Sequence, residues 1–205
     1  MYITKEQSLD LVKESFENIK DDYLEKLTFL SNLIEGDDWS FVIKSHALIE
    51  SLITELILLK ISDNRLKKVI SRISLHGETV SKIAILKIYN LLSADEIKLI
   101  IRLSEIRNSI VHNYENLSFT FEKYAESLNS DQIKQWHKLL QLDEIEVNKM
   151  NKFITAKPIF AVWCKILSLI NSILYETHQL KVNKKLDEQA RKTSEELLSL
   201  LMNKA

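Results

Sequence analysis

The chain has 205 residues, with 28 Lys and Arg against 29 Asp and Glu, so its formal charge is −1 and no global basic field marks it as a nucleic-acid binder. Only 2 Gly, 1 Pro and 1 Cys are present, which argues against turn-rich sandwiches and barrels, a disulfide framework, and a cysteine-based zinc site. An all-α architecture is the economical expectation, as one buried domain or one domain with a helical extension. The N-terminal Met1 to Glu6 carries no basic-then-apolar signal. The longest apolar run, 159–174, is broken by Lys165, Ser168, Asn171 and Ser172, so it reads as too short and polar to span a membrane. These features lead to the expectation of a soluble cytoplasmic protein. Cys164 lies in this run and reads as an inert buried thiol.

In chain order, Thr4 with Gln7 suggests a capping box. Val12, Phe16, Ile19, Tyr23, Leu27, Leu30 and Ile34 then step by threes and fours, as one long amphipathic helix does. Gly36 to Asp38 stops it, and Asp38 is the expected cap of the next helix, which runs from Trp39 to about Ile61. That helix is apolar over more than half its circumference and is expected at the centre of the fold. His46 and Glu50, four apart on it, read as a hydrogen-bonded pair locking helices together. A short helix follows up to Arg72, with Leu66, Val69, Ile70 and Ile73 inward. Arg65, Lys67, Lys68 and Arg72 on its other face form a weak candidate patch for an RNA backbone.

Val80, Ile83, Ala84, Lys87, Ile88 and Leu91 predict the next helix. Ser93 to Glu96 is a capping box, since the Ser oxygen takes an orphan amide and the Glu reaches back. The helix it opens uses Ile97, Ile100, Ile101, Ser104 and Val111 inward and delivers Arg107-Asn108-Ser109-Ile110-Val111-His112-Asn113-Tyr114 near its end. Phe119, Phe121 and Tyr124 pack a turn back onto the bundle. Residues 126–130 are the expected boundary between a bundle, 1–125, and a C-terminal helical extension, 126–205, that packs on the bundle or on a partner subunit. Within the extension a short helix is expected from Ser130, then an acidic solvated run at 143–146, then a helix from Pro158 to about Leu180 through Phe160, Trp163, Leu167, Ile170 and Leu174. A basic hinge at 181–185 leads to a last helix with Leu186, Ala190, Leu197 and Leu201 on its seam. His76, His137 and His178 read as residues without chemistry.

The motif at 107–114 places a guanidinium, a carboxamide, an imidazole and a phenol within eight residues. At about 100° per residue, Asn108 and His112 share one helix face, whereas Arg107 and His112 stand about 140° apart. A second copy of the motif from a symmetric dimer would help close such a site. The set suits phosphodiester cleavage without a metal. His112 is a base for a ribose 2′-OH near neutral pH, and Arg107 can hold the developing charge on phosphorus. Asn108 and Tyr114 can orient the imidazole, the phosphate or a base. Helix capping and a cation at the helix end account for the same residues equally well. There is no glycine-rich phosphate loop, no His-x3-His pair and no basic recognition helix, so no metal or cofactor is expected.

Arg-Asn-x3-His followed by x-Tyr resembles the signature of HEPN domains, and Arg-x4-His-x-Tyr is similar to that of the toxin in minimal-nucleotidyltransferase–HEPN pairs. The longer context resembles the mannitol-operon repressor-like branch. It comprises an apolar helix with Glu50, the run from Val80 through Asn90 to Glu96, the segment Glu105-Ile106-Arg107-Asn108, and the trailing Leu117-Ser118-Phe119. The resemblance covers residues 27–125. It implies an up-and-down HEPN-like helical bundle, a homodimer, and a metal-independent endoribonuclease acting as a toxin or phage-defence effector. Arg107, Asn108, His112 and Tyr114 would be its catalytic set, and an antitoxin its partner. The alternative it implies is a non-catalytic helical regulator working through protein contacts.

Overall fold

The computed structural model describes residues 5–77, 80–112, 117–142 and 145–202. Thr4, Tyr114 and the acidic pair Asp143-Glu144 lie outside the described residues, as do the side chains of Val12, Phe16, Leu197 and Leu201. Among the described residues the chain is an all-α helical bundle without a strand. Its helices are α1 (Lys5–Ile34), α2 (Asp38–Ile61), α3 (Lys67–Ile70), α4 (Lys82–Ile88), α5 (Ala94–Val111), α6 (Phe121–Ser127), α7 (Ser130–Leu140), α8 (Val147–Ala156) and α9 (Pro158–Met202).

The buried residues of α2 occupy a broad face of the helix, and Lys44, Ala47, Ser51 and Glu55 on the other side are exposed. Phe41, Val42, Ile49, Leu52, Ile53, Leu56 and Ile57 are all buried, and α1, α3, α4, α5 and α9 pack against it. Its cap is Asp37, one residue before the expected one: the carboxylate accepts the Ser40 N–H at 2.8 Å, which holds Asp37 below the usual carboxylate range. Asp38 does a different job. Its carboxylate accepts the Phe121 N–H at 2.7 Å, so the start of α2 caps the start of α6, and burial pushes this carboxyl up. Phe121 then enters a cluster with Phe41, Phe119 and Trp136, whose rings lie 5.2–6.4 Å apart.

The C-terminal helices belong to the same core. α9 makes its most extensive contacts with α1 and α2, and one continuous apolar cluster runs from Leu30 of α1 to Leu174 of α9. By length and composition the stretch Pro158–Glu196 of α9 could cross a membrane. Its buried side, with Val162, Ile166, Leu169, Ile170 and Ile173, is spent on the core instead.

Several inner positions differ from the sequence reading. A 3-10 turn over Asn64–Leu66 precedes α3 and shifts the helical phase, so Leu66 and Val69 are exposed and only Ile70 is buried. Val80, Ile88, Val111 and Phe160 are also exposed, whereas Leu99, Leu103, Ile106 and Ile110 are core residues of α5. α8 is a helix that the pattern did not announce. No hinge interrupts α9 at 181–185, since Lys-rich sequence propagates a helix well.

Candidate functional site

The site is built from α5 outward. The Ser93–Glu96 capping box forms in both directions, at 3.3 and 2.7 Å, and starts the helix. From there Ile97, Ile100, Leu103, Ser104, Ile106 and Ile110 are buried in the bundle, and the helix ends at His112, whose backbone N–H donates to the Asn108 carbonyl at 3.3 Å. Trp39 Nε1–H donates to the Ile110 carbonyl at 3.4 Å, joining this end to the start of α2.

Ser104 sits where α5 crosses α2. Its hydroxyl donates to the Ile100 carbonyl at 2.8 Å, so its oxygen is left to accept from His46 Nε2 at 3.1 Å. That bond requires the Nε2–H tautomer of His46. Arg107, one turn beyond Ser104, is half-buried on the same side, and its Nη1–H donates to Asn108 Oδ1 at 3.0 Å. Burial first of all holds His46 below its ordinary value. Glu50 opposes this, and the positive fields of Arg107 and Lys82 add to it. Glu50 accepts from the buried Lys82 Nζ at 2.6 Å. His46 and Glu50 therefore do not pair with each other: one ties α2 to α5 and the other ties α2 to α4.

The structure thus joins Arg107 to Asn108 and sets Arg107 within the electrostatic reach of His46. Asn108 and His112 are exposed, and among the described residues the His112 side chain has no hydrogen-bond partner. Arg107 and His112 leave α5 on different faces, as the helical spacing requires. Tyr114 lies outside the described residues.

The basic patch is on the surface. Arg65 is tied to Asp63 through 2.8–3.2 Å hydrogen bonds, which neutralises its charge, while Lys67, Lys68 and Arg72 are exposed without ion pairs among the described residues. Lys67 lines one wall of an open groove of about 660 Å³ along the outer face of α2. Glu50, Thr54, Lys82 and Lys184 line it too, and Glu55, also on this groove, is paired with Lys181 at 2.9 Å.

The sequence places Ser104 inward, where it is buried, but gives no sign of its bond to His46, and it singles out neither Lys82 nor a groove-lining role for Lys184. The signal that points there is the His46 and Glu50 pair, four apart on the largely apolar α2. Among the described residues no three His, Cys, Asp or Glu are grouped to hold a metal. Cys164 is half-buried, and burial pushes its thiol up. Comparison with protein-family models, curated proteins and solved structures gives no match. Fold and site together define an all-α bundle with a polar crossing between α2 and α5 beside an exposed helix end.

Proposed function

We propose that the protein is a metal-independent endoribonuclease of HEPN type, a cytoplasmic toxin or phage-defence effector that works as a homodimer. The observation that carries this reading is the Arg-Asn-x3-His motif at an accessible helix end, with Arg107 backed by the His46–Ser104 bond. In this reading His112 takes the proton from a ribose 2′-OH and Arg107 stabilises the charge on phosphorus, with Asn108 and Tyr114 positioning. Because Arg107 and His112 diverge by about 140° on one helix, a second copy supplies the missing half of the site. The groove with Lys67 and Lys184, continued by Lys68 and Arg72, is the surface on which the strand's phosphates lie.

The test is cleavage of mixed cellular RNA in EDTA. The wild type should cut and leave 2′,3′-cyclic phosphate ends, and DNA should be inert. His112→Ala and Arg107→Ala should each lose a factor on the order of 10² to 10⁴.

One observation favours a second reading. Arg107 is half-buried and bonded to Asn108, as a residue that finishes a helix end would be. Equal activity in all three proteins, or none in the wild-type dimer, would overturn the catalytic roles of His112 and Arg107 and favour instead a non-catalytic regulator acting through protein contacts. A neighbouring nucleotidyltransferase gene, encoding an antitoxin, favours the toxin. A sugar-transport operon favours the regulator.

A further inference from the structure

On the opposite side of α5, roughly half a turn from the Ser104–Arg107 face, the helix presents Asp95, Lys98, Ile101, Arg102 and Glu105 to α7. A pocket of about 590 Å³ lies between them and Lys165 of α9. This is within the range of about 300–1,000 Å³ usual for small-molecule sites. We propose that this pocket binds an organic anion with an apolar body, its carboxylate or phosphate head directed at Lys138 and Lys165.

The charges select the head. Both acidic residues are already satisfied, Asp95 by Lys98 at 2.7 Å and Glu105 by Arg102 at 2.9 Å. Lys165 is half-buried and, among the described residues, its Nζ donates to the neutral Gln141 carbonyl at 2.9 Å and forms no ion pair, which leaves N–H donors for an anion. Lys138 forms no ion pair among the described residues. The two lysines also converge on Asp95, whose carboxyl is held low chiefly by Lys98 and further by Lys138 and Lys165.

The walls select the body. Ile101 and Leu139, with Trp136 buried behind them, give the pocket apolar surface that a bare inorganic anion would leave wet. A purely apolar ligand would instead strip water from Lys165 with nothing in return. An amphipathic anion answers both demands. The inference does not depend on RNA cleavage at the end of α5, because no residue is shared with that site.

Calorimetric titration of the wild-type chain with decanoate and with 1-naphthyl phosphate separates the two sources of the head group. Saturable binding of either probe at one site is expected, with acetate and inorganic phosphate at least tenfold weaker. Lys165→Met should weaken the bound probe at least tenfold, and Lys138→Glu should do so from an exposed position that cannot compromise folding. Lys123→Glu, on α6, should leave it unchanged. Decanoate alone identifies a carboxylate ligand and naphthyl phosphate alone a phosphorylated one. Absence of saturable binding by both probes, or equal affinity in Lys138→Glu and wild type, overturns the proposal.

Discussion

Lys82 and Glu50 form an ion pair whose two ends live in different solvents, and this asymmetry can be tested. The Lys82 side chain is 2% exposed and the Glu50 side chain 36%, with 2.6 Å between Nζ and Oε1. Replacing Glu50 by Gln strands an ammonium in the interior. Breaking one side of a fully buried pair costs about 3–5 kcal/mol, and the water that reaches Glu50 from the groove lowers the figure to about 2–3 kcal/mol. For a chain of this size that corresponds to a Tm lower by roughly 5–10 °C. Replacing Lys82 by Met removes the buried charge, keeps most of the volume and leaves a carboxylate that can hydrate. Its cost should stay under about 1 kcal/mol. The double variant should resemble Lys82→Met alone, giving a coupling energy close in size to the whole cost of Glu50→Gln. Urea and thermal unfolding followed by far-UV circular dichroism at neutral pH measure all four proteins. If Lys82→Met is as damaging as Glu50→Gln, the pair itself supplies the stability and the stranded-charge argument is wrong.

Three further outcomes are expected. Phe121→Ala removes a fully buried ring that touches Phe41, Phe119 and Trp136, and should cost about 3–5 kcal/mol in a urea titration, against much less for the half-buried Phe119→Ala. Ser93→Ala should cost about 1 kcal/mol by leaving the Glu96 amide without its cap, and Ser93→Asp should restore most of it. The folded-state value of His46 lies below its ordinary 6.5, principally through burial, so the unfolded chain takes the proton first. Stability present above pH 6.5 is therefore lost as the pH falls through the folded value, and His46→Gln should flatten that part of a stability–pH profile.

The parts of the fold that depend on neighbours within a few residues could be read from the sequence. The Ser93–Glu96 box is a local bargain between one hydroxyl, one carboxylate and two amides, and it forms as spaced. The central place of α2 was legible because a helix apolar over more than half its circumference must bury a broad face. Residues whose meaning depends on distant partners were not. Lys82 looks like any surface lysine until Glu50, 32 residues earlier, is placed beside it. α8 has no side-chain cap at Glu146 and buries only Met150 and Ile154, too faint a rhythm to stand out after an acidic run. Asp37 and Asp38 are chemically identical candidates for one cap, and only the approach of Phe121 assigns them separate roles. At the candidate site, the spacing foretold the divergence of Arg107 and His112. It could not foretell that Ser104 and His46 would stand behind the arginine.

The 45 residues of α9 form one helix of about 68 Å, yet they occupy two environments. Up to His178, which is 5% exposed and bonded to Asp22 of α1 at 3.0 Å, its inner side is core. From Asn183 to Leu198 the described side chains are exposed except Leu186 and Thr193, which are half-buried. Backbone amides along a single uninterrupted helix should therefore exchange with deuterated solvent on very different clocks. Those before His178 should open only when the whole molecule unfolds, whereas those beyond Asn183 open locally, turn by turn, because few buried contacts hold them. A denaturant concentration too low to touch the bundle would already quicken the outer amides. The junction between the two regimes, near Lys181, would then mark where the cooperative unit stops although the helix does not.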